Sequence, residues 1–149
     1  MPAVKAVMAD FEGAMWCGML ANFPTISIHG CLFHWAQALR CKLGELGLLR
    51  LYQRSSSSNL FCRKLMALPF LTSACIPGAF FELKRLCESH AGLTQFCSYI
   101  ERQWIVNDFY HPARWSMFMK EMRTNNDLEG WHQHLTTMPE EGKSSSTFW

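Results

Sequence analysis

No stretch of this chain approaches the roughly 18 uncharged apolar residues that a membrane-crossing helix needs, so a bilayer span is not expected. A secretory signal core is missing as well. Lys5 is followed by Asp10 and Glu12 before any apolar run can develop, and the expectation is an intracellular protein. Charge is sparse: Asp, Glu, Lys and Arg make up 17% of the residues, where about a quarter is usual. That shortfall hints at surface that something else normally covers. The net charge of +2 is too small to imply nucleic-acid binding by itself. No CxxC pair occurs among the seven cysteines, and seven is an odd number. Cys62 and Cys97 fall at apolar helical positions. Most of the thiols are therefore read as buried and reduced, not as a disulfide framework. Internal repeats are absent, and the four-serine run at 55–58 is too short to separate two domains.

What the chain does have is a globular composition. Its 149 residues are 49% apolar, enough for one domain around a single core. Residues 3–9 read as a short buried strand ending at Asp10. Met15, Trp16, Met19 and Leu20 share one helical face between Glu12 and Asn22, and Phe23-Pro24 closes that helix. Ile26 and Ile28 alternate with Thr25 and Ser27, which predicts a second strand over 25–29, ended by Gly30. Phe33, Trp35, Ala36, Leu39 and Leu43 then mark a helix from Cys31 to about Leu46, stopped by Gly47. This β-α-β-α order is the grammar of an α/β layer with parallel strands.

Past Gly47 no strand pattern appears. Helices are expected from near Leu60 to Leu68, from about Ile76 or Gly78 to Ser89, and from Leu93 to Val106. Phe80, Phe81, Leu83 and Leu86 are expected on the apolar side of the second. A loop and short helix follow at His111-Pro112 and Trp115, then a polar turn at Arg123-Thr124-Asn125-Asn126. A last helix runs over 126–137, and the tail after Pro139 is expected to be loose.

Three elements in fixed order carry chemistry. Met8-Ala9-Asp10-Phe11-Glu12 puts a carboxylate at the end of a strand. Gly30-Cys31-Leu32-Phe33-His34-Trp35 places a CxxH at the next strand-to-helix junction. Arg123-Thr124-Asn125-Asn126-Asp127-Leu128-Glu129-Gly130-Trp131-His132 opens the final helix. Each is weak alone; the combination, with a helical insert between the second and third, is far more specific.

On those motifs the chain resembles Mutator-like (MULE-type) DNA transposases, over nearly its whole length from Asp10 to about Leu135. The resemblance implies an incomplete ribonuclease-H-like α/β fold across residues 1–138, a helical insertion at about 48–122, and a tail at 139–149. It implies a DDE carboxylate triad in which Asp10 is the second member and Glu129 the third. Cys31, His34, Asn125, Asn126 and His132 then take structural or supporting places near the carboxylates. Arg40, Lys42, Arg123 and Trp131 become candidates for DNA contact. The implied partner is DNA at transposon ends, the implied compartment the nucleus, and complete relatives work as oligomers.

The chemistry explains the residue types. DNA cleavage and strand transfer use two Mg²⁺ (or Mn²⁺) ions about 3.5–4 Å apart, which activate the attacking oxygen and stabilise the leaving one. Such hard cations take carboxylate oxygens and retained waters. Holding two of them takes about three carboxylates. The first triad Asp of the family lies upstream of the second, and only nine residues precede Asp10 here. The resemblance thus implies a fragment, or a chain lacking an N-terminal segment, that is catalytically incomplete by itself. It also implies an exposed edge where further strands would pair.

Plainer readings stand beside these. Asp10 can be a turn carboxylate or N-cap, Glu12 a first-turn residue favoured by the helix dipole, and Glu129 a solvated helix residue beside Asp127. Cys31 and His34 could ligate zinc with His29, His132 or His134. Structural zinc sites, however, carry a second tightly spaced pair, so zinc is not the expected cofactor. Trp16, Trp35, Trp104 and Trp115 at helical spacing read as core, whereas Trp131 is kept for substrate contact. The basic residues Arg50, Arg54, Arg63-Lys64 and Lys84-Arg85 read as solvated faces, with phosphate contact the alternative. The runner-up function is a non-catalytic DNA- or protein-interaction module.

Overall fold

The alternation of Ile26 and Ile28 and the apolar run before Asp10 do produce two strands, paired side by side. A computed structural model describes residues 4–50, 57–87 and 90–120. Strand β1 (Ala6–Ala9) and strand β2 (Ser27–Gly30) run parallel, with Ala6 opposite Ser27 and Ala9 opposite Gly30. The ladder continues one step further, where the Cys31 amide donates to the Ala9 carbonyl at 2.8 Å. Only Ala9 of β1 is buried. The strand is therefore shorter and less enclosed than its composition predicts, because among the described residues β2 is its one neighbour in the sheet.

Helix α1 (Gly13–Asn22) connects the strands and sinks Trp16 into the core. It stops at Phe23, whose amide still reaches the Met19 carbonyl, before Pro24. Helix α2 (Leu32–Glu45) follows β2 and buries Trp35, Leu39 and Leu43, one turn apart each time. Phe33, expected on that face, is instead 42% exposed. Two residues before Trp35 it sits about 200° round the helix, and the line through Trp35 already fills the contact. Gly47 adopts a left-handed φ of 69°, a conformation open to glycine without strain, and this ends the α/β layer.

The rest of the described chain is helical: α3 (Ser57–Met66), a 3-10 turn (Leu68–Phe70), α4 (Ile76–Arg85) and α5 (Ala91–Ile100). A π-helical turn (Glu101–Ile105) extends α5, and a 3-10 turn (Pro112–Arg114) closes the described segment. Helix α3 starts ahead of Leu60 because the Ser-Asn stretch is itself wound into it. On α4, Phe80 is fully buried, while Phe81 is 41% and Leu86 71% exposed. Consecutive residues lie about 100° apart, so Phe80 and Phe81 cannot both face the core, and Leu86 falls in the turn beyond the helix. At α5 the His90 ring accepts a hydrogen bond from the Leu93 amide, capping the helix start. The final helix expected over 126–137 lies outside the described residues.

One core joins strands and helices. Trp16, Trp35, Trp104 and Trp115 are all buried, as their helical spacing among leucines predicts. Trp35 stacks on Trp115 at 4.3 Å between ring centroids and meets Trp104 edge-on at 5.1 Å. The Trp115 indole N–H donates to the Tyr110 carbonyl at 2.9 Å, so its polar edge is satisfied in the interior. No described helix is long and apolar enough to cross a membrane. No disulfide forms among the described cysteines, of which Cys31, Cys62, Cys87 and Cys97 are buried and Cys17, Cys41 and Cys75 exposed.

Candidate functional site

The short loop Asp10–Glu12 leaves the C-terminal end of β1, the end at which parallel α/β sheets bind ligands. Three aromatic residues far apart in sequence hold it. The Trp16 indole donates to the Asp10 carbonyl oxygen at 2.6 Å, and the Tyr110 hydroxyl donates to the Phe11 carbonyl oxygen at 3.0 Å. The Phe11 ring lies edge-on to Trp104 at 4.6 Å and to Tyr110 at 5.7 Å, and stacks on Trp16 at 5.9 Å. It also presses on Gly30, where any Cβ would collide with the ring, so β2 must end in glycine for this loop to seat. Burial, with lesser contributions from Cys17, Asp10 and Glu12, raises the Tyr110 phenol above its ordinary value. The hydroxyl therefore stays protonated as a donor.

The loop borders a groove of about 410 Å³ lined by Asp10, Phe11, Glu12, His34, Gln37 and Cys41. His34, Gln37 and Cys41 follow one another at helical spacing on α2, so a single face of that helix forms the opposite wall. Asp10 is the site's most distinctive group. Its Oδ1 is buried and has no hydrogen-bond partner among the described residues. A buried carboxylate oxygen without a donor is costly, and a catalytic role or a bound water or ion is among the explanations for such an atom. Glu12 occupies the position just before α1 with extended backbone and makes no capping hydrogen bond through its side chain. Its side chain borders the groove instead of sitting in the first helical turn.

Of the residues singled out in the sequence, Asp10 and His34 are brought to one groove. Cys31 is buried at the start of α2 and does not line it. Arg40 is exposed on α2. Lys42 is engaged elsewhere, in an ion pair with Glu45 at 2.7 Å and over the Tyr99 ring at 5.2 Å. Other basic side chains are similarly occupied: Lys84 pairs with Glu101, and Arg85 with Glu82 at 3.2 Å. Glu129, Asn125, Asn126, Arg123, Trp131 and His132 lie outside the described residues, so the Asp10–Glu129 juxtaposition does too. Gln37 and Cys41 were not singled out in the sequence. Counting three and seven residues on from His34 is the signal that finds them.

His29, which does not line this groove, meets Lys120, with its Nδ1 2.6 Å from the Lys120 ammonium. Burial and the Lys120 charge hold the imidazole below its ordinary value, and burial lowers Lys120. A neutral His29 ring accepting from the ammonium fits the lowered imidazole.

The donor set can be tested against a divalent cation. Asp10 and Glu12 offer the hard oxygens that Mg²⁺ or Mn²⁺ prefers, and the bare Asp10 Oδ1 suits such a ligand. No three His, Cys, Asp or Glu side chains gather into a metal group among the described residues. A further carboxylate is needed to complete a site. No family model, no curated protein and no solved structure matches this chain.

Proposed function

We propose that the chain is a transposon-derived DDE transposase fragment with an incomplete ribonuclease-H-like domain, whose ancestral reaction is Mg²⁺-dependent cleavage and joining of DNA ends. The observation that carries this reading is the Asp10 carboxylate at the C-terminal end of a parallel strand, beside a groove, with its Oδ1 buried and lacking a hydrogen-bond partner among the described residues. Support also comes from the sequence order of Asp10, the Cys31–His34 turn and the Asn125-Asn126…Glu129 segment.

In this reading Asp10 and Glu129 are the metal-binding carboxylates, and the metal supplies charge stabilisation at the phosphate oxygens. Tyr110 and Trp16 fix the loop that aims Asp10. Arg40, Arg123 and Trp131 contribute to DNA contact, whereas Lys42 would first have to leave Glu45. Asp10 and Glu129 supply two of the roughly three carboxylates that two-metal chemistry takes. Residues 1–149 are accordingly expected to bind a divalent ion weakly and not to cleave DNA alone.

The test is Mn²⁺ binding to the whole chain, followed by electron paramagnetic resonance, beside a supercoiled-DNA nicking assay in Mg²⁺. The expected result is binding that is lost in both Asp10→Asn and Glu129→Gln, with no nicking by the parent chain. Ion binding indifferent to both substitutions, or carboxyl groups of the two residues on opposite faces of the molecule, sinks the reading. A non-catalytic protein-interaction module is the second possibility. An apolar groove between α3 and α4, containing Leu68, Leu71, Ala79, Leu83 and Leu86, favours it. Under that reading no specific Mn²⁺ site exists at Asp10.

A further inference from the structure

Away from the Asp10 groove, the turn between α4 and α5 brings two thiols into contact. Cys87 follows the end of α4 and Cys97 sits in the second half of α5, and their sulfurs are 3.3 Å apart. The Cys87 thiol has two acceptors within reach, Cys97 Sγ and the Lys84 carbonyl oxygen at 3.0 Å. One proton serves only one of them at a time, so the contact is easily rearranged. A disulfide needs the sulfurs about 2.05 Å apart. The remaining approach is little more than about 1 Å, within the reach of a side-chain rotation beside a turn.

The two cysteines differ in what they border. Cys97 is fully enclosed, and burial, reinforced by the neighbouring Cys87 thiol, raises it far above the ordinary thiol range. Cys62, a third enclosed thiol of the same core, is pushed up to about 11 by burial. Both stay protonated, so neither is the first thiol to meet an oxidant. Cys87 lines a groove of about 380 Å³ between α3 and α5, together with Ser57, Lys64 and His90. The Lys84 ammonium, one turn back along α4, contributes positive charge to both Cys87 and Cys97. Cys87 is 3% exposed, and this groove is the open space that its residue borders.

We propose that Cys87 and Cys97 are a reversible dithiol–disulfide site that takes a hydroperoxide as oxidant, with Cys87 attacked first and Cys97 resolving. The Cys87 thiolate attacks one oxygen of hydrogen peroxide. The O–O bond breaks, the released hydroxide takes up a proton as water, and Cys87 is left as a sulfenic acid. The Cys97 sulfur then attacks the Cys87 sulfur and the S–O bond breaks. Hydroxide leaves and combines with the Cys97 proton as a second water. Two thiols lose two electrons and two protons, and one peroxide becomes two waters. A small-molecule dithiol reverses the bond by two successive exchanges. The sulfur-to-sulfur contact carries this inference; it does not depend on any metal or DNA reading of Asp10.

Trypsin supplies a clean readout, because residues 86–102 contain Cys87 and Cys97, no other cysteine and no internal Lys or Arg. The full chain is reduced, treated with stoichiometric hydrogen peroxide at high dilution, denatured, alkylated with N-ethylmaleimide and digested. The expected peptide 86–102 carries no alkyl group, weighs two hydrogen atoms less than its dithiol form, and becomes doubly alkylated after dithiothreitol. Dimedone should label Cys87 in Cys97→Ser, and leave Cys97 unlabelled in Cys87→Ser. A doubly alkylated peptide after peroxide, or a cross-link from this peptide to Cys62, overturns the proposal. Wild-type mapping decides the matter even if a serine variant fails to fold.

Discussion

The Tyr110 hydroxyl and the Phe11 carbonyl are 99 positions apart along the chain and 3.0 Å apart in space. That hydrogen bond ties the end of the helical region to the acidic loop that follows the first strand. With Trp16 holding the adjacent Asp10 carbonyl, the loop is gripped from both sides.

Tyr110→Phe keeps the ring contacts with Phe11 and Trp16 and deletes only the donor. A loss of about 1 kcal/mol is expected for one such hydrogen bond, which in a chain of this size lowers Tm by roughly 2–4 °C. Thermal unfolding followed by circular dichroism checks it. A variant as stable as the parent would mean the contact contributes nothing to holding the loop.

Gly30→Ala sets a methyl group against the Phe11 ring, which has little room to move among Trp16, Trp104 and Tyr110. Overpacking of this kind typically costs about 1–3 kcal/mol. Chemical denaturation should report that loss. Alanine at position 13, where the nearest atom is the Tyr110 hydroxyl at 3.3 Å, should be milder.

Asp10→Asn should move stability and ion binding in opposite directions. The neutral amide removes the burden of a buried carboxylate oxygen lacking a donor among the described residues, so Tm without divalent ions should rise or hold. Any Mn²⁺-induced rise in Tm should vanish. A variant that loses stability in metal-free buffer would mark Asp10 as a structural carboxylate.

His29 predicts a direction for acid sensitivity. Its value in the folded chain lies below the ordinary 6.5, so between that lowered value and about 6.5 the unfolded chain binds more protons than the folded one. Stability therefore rises with pH through this window. The contribution is fully present above about pH 6.5 and is lost as pH falls through the lowered folded value. Replacing His29 with Gln should flatten that part of the profile, measured as denaturation midpoint against pH. An unchanged slope would place the acid sensitivity elsewhere.

Phe80 and Phe81 offer a contrast between neighbours. Phe80→Ala empties a fully buried site and should cost about 3–5 kcal/mol. Phe81→Ala, at a half-exposed ring, should cost a fraction of that. Equal losses would contradict the facing of α4.

Several features are legible in the sequence. The order strand, helix, strand, helix, followed among the described residues by helices, comes from periodicity and from breakers such as Pro24 and Gly47. Those signals act within a few residues and need no distant partner. The placing of Asp10 at a strand end follows from the same local rules, as does the burial of Trp16, Trp35, Trp104 and Trp115. Boundaries are less legible: α3 begins at Ser57, ahead of the expected Leu60, because polar residues at a helix start can be wound into the first turn as readily as left outside it.

Tertiary structure alone decided which of two nearby apolar residues is buried, as with Phe80 over Phe81 and Trp35 over Phe33. It alone set Tyr110 on the Phe11 carbonyl, Lys120 on His29, and the Cys87 sulfur against that of Cys97. Composition can say that a residue prefers the interior. Which partner it meets there depends on how separate elements are laid against one another, and that is settled by the competition of all side chains for one close-packed core.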